Sequence, residues 1–268
     1  MPLSVFGREK KTAKITLFRG TEGDRFQGMG SYGGNDPGEG EVILQRWTYH
    51  SHAEATLSIL PDGCRDLLYW IIPGQDPFWT VSPLQRTAMT AAMGRETRLV
   101  GYRLSPGVEV SDRVLSELGT PSGDDPDESV SRILGLIGRD RRVEEALSAV
   151  ATLPASVADV ALLLGVSART LERLLLGRTG ATPVFWTQLV RVRAAARYLA
   201  AGERFVEVAL RAGYADQAHL SRSVRRWFGV SPGELVHRSD LVNQLASPGY
   251  DAVTGEQIST RYPSGSLT

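Results

Sequence analysis

The sequence predicts a multidomain α+β protein: a β-rich barrel or sandwich, connector helices, and an all-α domain in which two helix-turn-helix copies are joined by a long helix. Three observations predict it. Short apolar runs separated by tight turns fill residues 41–110. Beyond Pro121 the apolar spacing becomes helical, and residues 156–185 repeat in 204–234. A length of 268 residues is more than one modest domain needs. The expected division is residues 1–120 β-rich, 121–151 a helical connector or dimerisation segment, 152–240 the domain that carries the repeat, and 241–268 a flexible tail.

Residues 20–40 hold eight glycines and read as a loop. Gly28, Gly30 and Gly33 match a G-x-G-x-x-G spacing, but no strand precedes it, and Asn35-Asp36-Pro37-Gly38 opens a turn where a dinucleotide site needs a helix. From residue 41, EVILQRWTYH, ATLSIL, DLLYWII, FWTVS and TRLVGYRLSPG alternate with Pro/Asp/Gly turns and read as strands. Val130, Ile133, Leu134 and Ile137 then form one helical stripe, and Val143, Leu147 and Val150 another, with Gly138 between them and Asp140 as a cap. The Ser/Gly/Thr/Pro-rich end lacks a periodic apolar pattern and reads as poorly ordered.

Composition excludes fibrous, disulfide-framed and transmembrane classes: 42% of residues are apolar, 22% are charged, and Cys64 is the single cysteine. The N-terminal MPLSVFGREKKTAK has no apolar signal core. The net charge of zero conceals a split. Residues 1–150 hold 17 Lys+Arg against 21 Asp+Glu, whereas residues 151–240 hold 12 Arg against 7 acids. A module whose cations are all Arg suits forked contacts to phosphate or guanine.

In the repeat, Ala161-Leu162 and Gly165 align with Ala209-Leu210 and Gly213 at an offset of 48. Leu171-x-Arg173 and Gly180-x-Thr182-Pro183 align with Leu220-x-Arg222 and Gly229-x-Ser231-Pro232 at 49. Each copy reads as helix, tight turn, helix. Ser156-x-x-Asp159 is a capping box, Gly165 and Gly213 are left-handed exits, and Ser167 and Asp216 cap the second helices. Small Ala161 and Ala209 permit a steep helix crossing. With Leu171, Leu174 and Leu175 inside, Ala168, Arg169, Glu172 and Arg173 face out. With Leu220, Val224 and Phe228 inside, Gln217, His219, Ser221, Arg222, Arg225 and Arg226 face out. Thr182-Pro183 opens a connecting helix of about nineteen residues, roughly 28 Å long. A rod of that length can set two outward helices into successive major grooves, about 34 Å apart. The competing reading is a helical bundle solubilised by its arginines.

The segments SVADVALLLGVSARTLERLL, GATPVFWTQLVRVRAAARYL and FVEVALRAGYADQAHLSRSVRRWFGVSPGEL resemble, over about 80 residues, the DNA-binding domain of AraC/XylS-type bacterial transcriptional regulators. The resemblance implies that the second helix of each motif enters the major groove. Base reading then falls to Arg169, Glu172 and Arg173 in the first copy and to Gln217, His219, Ser221 and Arg222 in the second, with Arg225 and Arg226 on the DNA backbone. The first copy reads LLLGRTG where many members carry Phe and Lys, which implies weaker phosphate anchoring there. ILPDGCRDLLYW and GYRLSPG resemble the sensor-like domain of a subgroup of these regulators, where a cupin-type barrel holds a small effector. The expected pocket residues are Trp47, Tyr49, Leu68, Trp70 and Tyr102. Duplex DNA and a small-molecule effector are the implied partners, with RNA polymerase and a second copy of the chain left open; a cytoplasmic location and no cofactor are implied.

The cupin metal pattern is incomplete: in His50-x-His52-x-Glu54 the acid follows too soon, and no further histidine precedes His219. The expectation is no metal, with a hydrated strand end at those residues. Cys64, between Asp62 and Asp66, reads as buried and apolar in role. The alternative is a cupin-like enzyme or ligand-binding protein with a helical accessory domain, but nucleophile elbow, CxxC and Walker loop are absent, so no catalytic residue is expected.

Overall fold

The computed structural model describes residues 26–29, 42–119, 125–152 and 156–250. Its N-terminal unit holds strands β1 (Phe26–Met29), β2 (Ile43–His50), β3 (Ala55–Ile59), β4 (Asp66–Ile71), β5 (Phe78–Val81), β6 (Met89–Met93) and β7 (Arg98–Leu104), followed by helices α1 (Asp112–Leu118) and α2 (Pro126–Ile133). A five-stranded sheet runs in the order β1-β2-β7-β4-β5 and a two-stranded sheet pairs β3 with β6, all antiparallel. The expected strand-rich unit is therefore present, as two sheets.

Strand alternation gives the large sheet two apolar faces. On one, Trp47, Tyr49, Trp70 and Leu99 pack against Ala55, Leu57, Ala91 and Met93 of the small sheet. On the other, Leu67, Tyr102 and Leu104 meet Val114 and Leu118 of α1 and Val130 and Ile133 of α2. The α1 helix is absent from the sequence reading, because two buried residues in one short helix leave no periodic stripe. What starts it is local: Ser111 caps it through the Val114 amide.

The helical unit contains α3 (Arg141–Thr152), α4 (Val157–Leu163), α5 (Ala168–Thr179), α6 (Pro183–Ala200), α7 (Phe205–Arg211), α8 (Gln217–Phe228), α9 (Pro232–His237) and α10 (Ser239–Ala246). Its core is threaded by α6, whose Trp186, Leu189, Val192, Ala195, Ala196 and Leu199 are all buried. Thr182 caps α6 and Pro183 occupies its first turn, as expected, and the helix has 18 residues.

Three expectations are corrected. The 121–151 segment does not form one connector among its described residues: Val130, Ile133 and Ile137 are buried with the strands, whereas Val143, Leu147 and Val150 are buried with the helices. The tail is ordered through residue 250, because Leu241, Leu245 and Tyr250 are buried in the helical core; residues 251–268 lie outside the described residues. Residues 26–29 of the glycine-rich stretch form β1, with Gly28 opposite Trp47, while Gly30 and Gly33 lie outside the described residues. No described helix is long and apolar enough to cross a membrane.

Candidate nucleic-acid interface

Both helix-turn-helix units are set by local chemistry. Ser156 and Asp159 close a capping box at the start of α4, with the Ser156 amide donating to Asp159 Oδ2 at 3.0 Å. Those bonds to Ser156 hold the Asp159 carboxyl below the ordinary carboxylate range. Gly165 (φ 66°) and Gly213 (φ 71°) take the left-handed conformation that ends the first helix of each copy. Ser167 accepts from the Thr170 amide at 3.1 Å and Asp216 from the His219 amide at 2.6 Å, starting α5 and α8. Ala161 and Ala209, buried, sit on the first helices.

On α5, Leu171, Leu175 and Thr179 are buried, and on α8 Leu220, Val224, Trp227 and Phe228. At 100° per residue the opposite side of each helix centres on Arg173 and on Arg222, which are equivalent residues of the two copies. Arg169, Glu172, Arg173, Gln217, Arg222, Arg225 and Arg226 are all exposed. Among the described residues, none of these five guanidinium groups is tied into an ion pair, so each is free for phosphate or base.

Two of the expected reading residues are less available. His219 is half-buried, its ring edge-on to Tyr214 with centroids 5.1 Å apart, and Ser221 is half-buried with its hydroxyl donating to the Gln217 carbonyl at 2.8 Å. The residues of the first copy that correspond to Arg225 and Arg226 are Leu176 and Gly177, so paired cations at the end of the exposed face belong to the second copy alone. Arg191, which the sequence reading passed over, lies 4.8 Å from the Tyr214 ring centroid and donates to the Gly213 carbonyl, holding the turn of the second motif against α6.

The strand-rich unit reaches the ends of both exposed helices. The Ala88 amide donates to the Trp227 carbonyl in the last turn of α8 at 2.7 Å. Arg86 donates to the Gly180 carbonyl, and Arg65 to the Thr179 carbonyl at 3.3 Å, both at the end of α5. These are carbonyls left without a partner inside a helix, and two of the three donors are cations placed at negative dipole ends. A buried polar seam lies beneath. Arg193 of α6, fully buried, donates to the Pro61 carbonyl at 3.3 Å; the Tyr250 amide donates to the Asp62 carbonyl at 2.8 Å; and Arg103 pairs with Asp62 at 3.1 Å while reaching the Pro248 carbonyl at 3.2 Å. Burial pushes the Asp62 carboxyl above its ordinary range against the opposing pull of Arg103. Burial likewise raises the Cys64 thiol, in keeping with its expected buried role.

The expected effector pocket is divided by the large sheet. Trp47, Tyr49, Leu68 and Trp70 share the face turned to the small sheet, whereas Tyr102 lies on the opposite face and donates to Asp127 of α2. Adjacent strand residues face opposite ways, so Tyr102 is removed from that set. The Trp47 indole covers Gly101 and donates to Asp66 at 2.9 Å, and the Trp70 indole donates to Thr80 at 2.8 Å, so both polar tips already have protein partners.

Residues 160–238 match the helix-turn-helix domain family. A stretch of 79 residues is 38% identical to the transcriptional activator NphR of a Rhodococcus species; the match is 29% of this chain and 23% of that protein. The chain thus matches less than a quarter of the length of this curated relative. A transcriptional regulator with an AraC-type DNA-binding domain from Chromobacterium violaceum is similar at 29% identity, covering 40% of this chain and 95% of that one, with a TM-score of 0.34. ToxT of Vibrio cholerae is similar at 13% identity over 74% of this chain and 98% of its own, with a TM-score of 0.41. Residues 160–238 are a helix-turn-helix domain. The matched span takes in α5 to α9 and overlaps α4, so both helix-turn-helix copies fall on it.

Proposed function

We propose that this protein is a sequence-specific DNA-binding transcriptional regulator that sets α5 and α8 into successive major grooves. The observation that carries the reading is the matched pair Arg173 and Arg222, each central on the exposed side of its helix and free of intramolecular ion pairs. The 18-residue α6 between the motifs spans about 27 Å, a separation that suits two grooves on one side of a duplex. Arg169, Glu172 and Gln217 complete the base-reading set, Arg222 leads it in the second copy, and Arg225 and Arg226 take the phosphates beside it.

On this reading the strand-rich half is the controlling unit, responding to a small molecule held near Trp47, Leu68 and Trp70. A ligand bound there changes DNA affinity only through elements whose arrangement differs between two states. The 83–88 loop is such an element, because Arg86 donates at the end of α5 and the Ala88 amide in the last turn of α8.

The test is selection of random duplex by the full chain, followed by gel shift on the enriched sequence. Two short conserved elements with centres about 10 base pairs apart are expected. Recovery of no consensus, with binding that disappears uniformly as salt rises, would overturn the reading.

A further inference from the structure

The sequence pairs His50 and His52 with Glu54 and stops short of a metal site. The structure brings a different carboxylate to the two imidazoles. His50 Nε2 and Glu96 Oε2 are 3.1 Å apart, and the His52 ring stands edge-on to that of His50, centroids 4.1 Å apart. One ligand atom from each of His50, His52 and Glu96 lies within 4.8 Å of the others. We propose that these three residues bind a divalent transition-metal ion of the zinc class at the edge of the strand-rich unit.

The backbone holds the donors ready. His50 ends β2 and His52 lies in the bend that follows it, on either side of Ser51, which is fully buried. The Ser51 amide donates to the Thr97 carbonyl at 2.9 Å, and Thr97, itself buried, sits next to Glu96. One backbone bond therefore fixes the distance between the segments that carry the donors. Glu96 is the one non-glycine with positive φ, 56°, among the described residues. That conformation is uncommon for a residue with a Cβ, and here it accompanies a carboxylate set against His50.

Two neutral imidazoles and a carboxylate select zinc, cobalt, nickel or copper over magnesium and calcium, which favour oxygen alone. Around a tetrahedral zinc, donors stand about 3.3 Å apart given metal–ligand bonds of about 2.0–2.1 Å. The His50–Glu96 pair already has that separation, and rotation of the exposed His52 ring closes the rest. Water completes the shell, since all three side chains reach solvent. The site stands apart from the DNA-binding reading and does not depend on it.

The experiment uses the untagged full chain, stripped with a chelator and titrated with Co2+ and Zn2+. One equivalent of Co2+ should bind with a ligand-field spectrum of nitrogen and oxygen donors and no thiolate band, and Zn2+ should raise the unfolding temperature. His52→Ala and Glu96→Gln should each weaken Zn2+ binding at least about tenfold. Glu96→Gly removes the carboxylate while relieving the left-handed backbone, so it should fold at least as well and still lose the metal. His237→Ala should leave Zn2+ binding unchanged. Zn2+ affinity unchanged in Glu96→Gly and His52→Ala, or no saturable binding near one equivalent, overturns the site.

Discussion

Arg173 and Arg222 differ from their arginine neighbours in position rather than chemistry. Each lies opposite the buried stripe of its helix, where a guanidinium can fork onto the edge of a guanine, a contact worth about 1–3 kcal/mol of discrimination. Replacing either with Ala should relax base preference at one position of its half-site in a selection assay and leave the rest of the consensus intact. Arg225→Ala should instead weaken consensus and scrambled duplex alike and reduce the salt slope by about one unit, read by gel shift across a salt series. Equal losses on both duplexes for Arg173→Ala would reassign that residue to the backbone. Gly63 shows a second residue-scale constraint. Its φ is +81°, and an added Cβ would lie 2.6 Å from Tyr250 Cβ and 2.9 Å from the Trp186 ring. Gly63→Ala should cost about 2–4 kcal/mol from backbone strain and overpacking, measured by denaturant unfolding of the full chain.

At the scale of elements, both capping boxes carry a titratable group. Hydrogen bonds to Ser156 and Ser231 hold the Asp159 and Glu234 carboxyls below their ordinary values of 3.8 and 4.5. A depressed folded value means that the contribution is fully present above the unfolded value and is lost as pH falls through the folded one. Acid unfolding followed by circular dichroism should therefore show helix loss beginning near these values and extending lower. In the Asp159→Asn, Glu234→Gln double variant that pH-dependent part should be reduced. An unchanged acid limb would show that the boxes do not contribute. Element boundaries matter as well. A fragment of residues 152–240 holds both motifs but omits α3 and α10, which bury Val143, Leu147, Val150, Leu241 and Leu245 in the same core. Each such side chain is worth about 1.5–3 kcal/mol when buried. Residues 139–250 should fold and bind duplex on their own, whereas 152–240 should unfold at markedly lower denaturant. Equal midpoints for the two fragments would contradict the shared core.

Across the whole molecule, the two units meet at a polar seam rather than through a helical connector. Arg103, Asp62 and Arg193 are each buried or nearly so, and breaking a buried charged pair costs about 3–5 kcal/mol because the remaining partner is stranded. Arg103→Met should therefore loosen the junction, making the strand-rich and helical units unfold in separate steps by calorimetry. A single unshifted transition would show the seam to be dispensable. Arg86→Ala, which removes one donor from the end of α5, should change affinity for the selected duplex while leaving overall stability within about 0.5 kcal/mol.

The repeat is legible in sequence because each of its features is local. A capping box needs two residues three apart, a left-handed exit needs one glycine, and a buried stripe needs apolar residues at helical spacing; all three survive folding unchanged in 156–235. Arg173 and Arg222 could be placed on the outer face for the same reason. Long-range choices were not legible. Strand alternation gives two faces but not which neighbour each meets, so Tyr102 and Trp47 could be grouped in one pocket until the sheet separated them. The helical stripes of 130–137 and 143–150 look alike, and only packing assigned the first to the strands and the second to α6. Glu96 joined His50 and His52 through a strand pairing that no sequence spacing announces. What the sequence by itself determined was the double helix-turn-helix and its outward arginines, since short-range hydrogen bonds and periodicity suffice for them. Tertiary structure decided the partners of each face, the seam between the units and the third donor beside the histidines, because those depend on contacts between residues far apart in the chain.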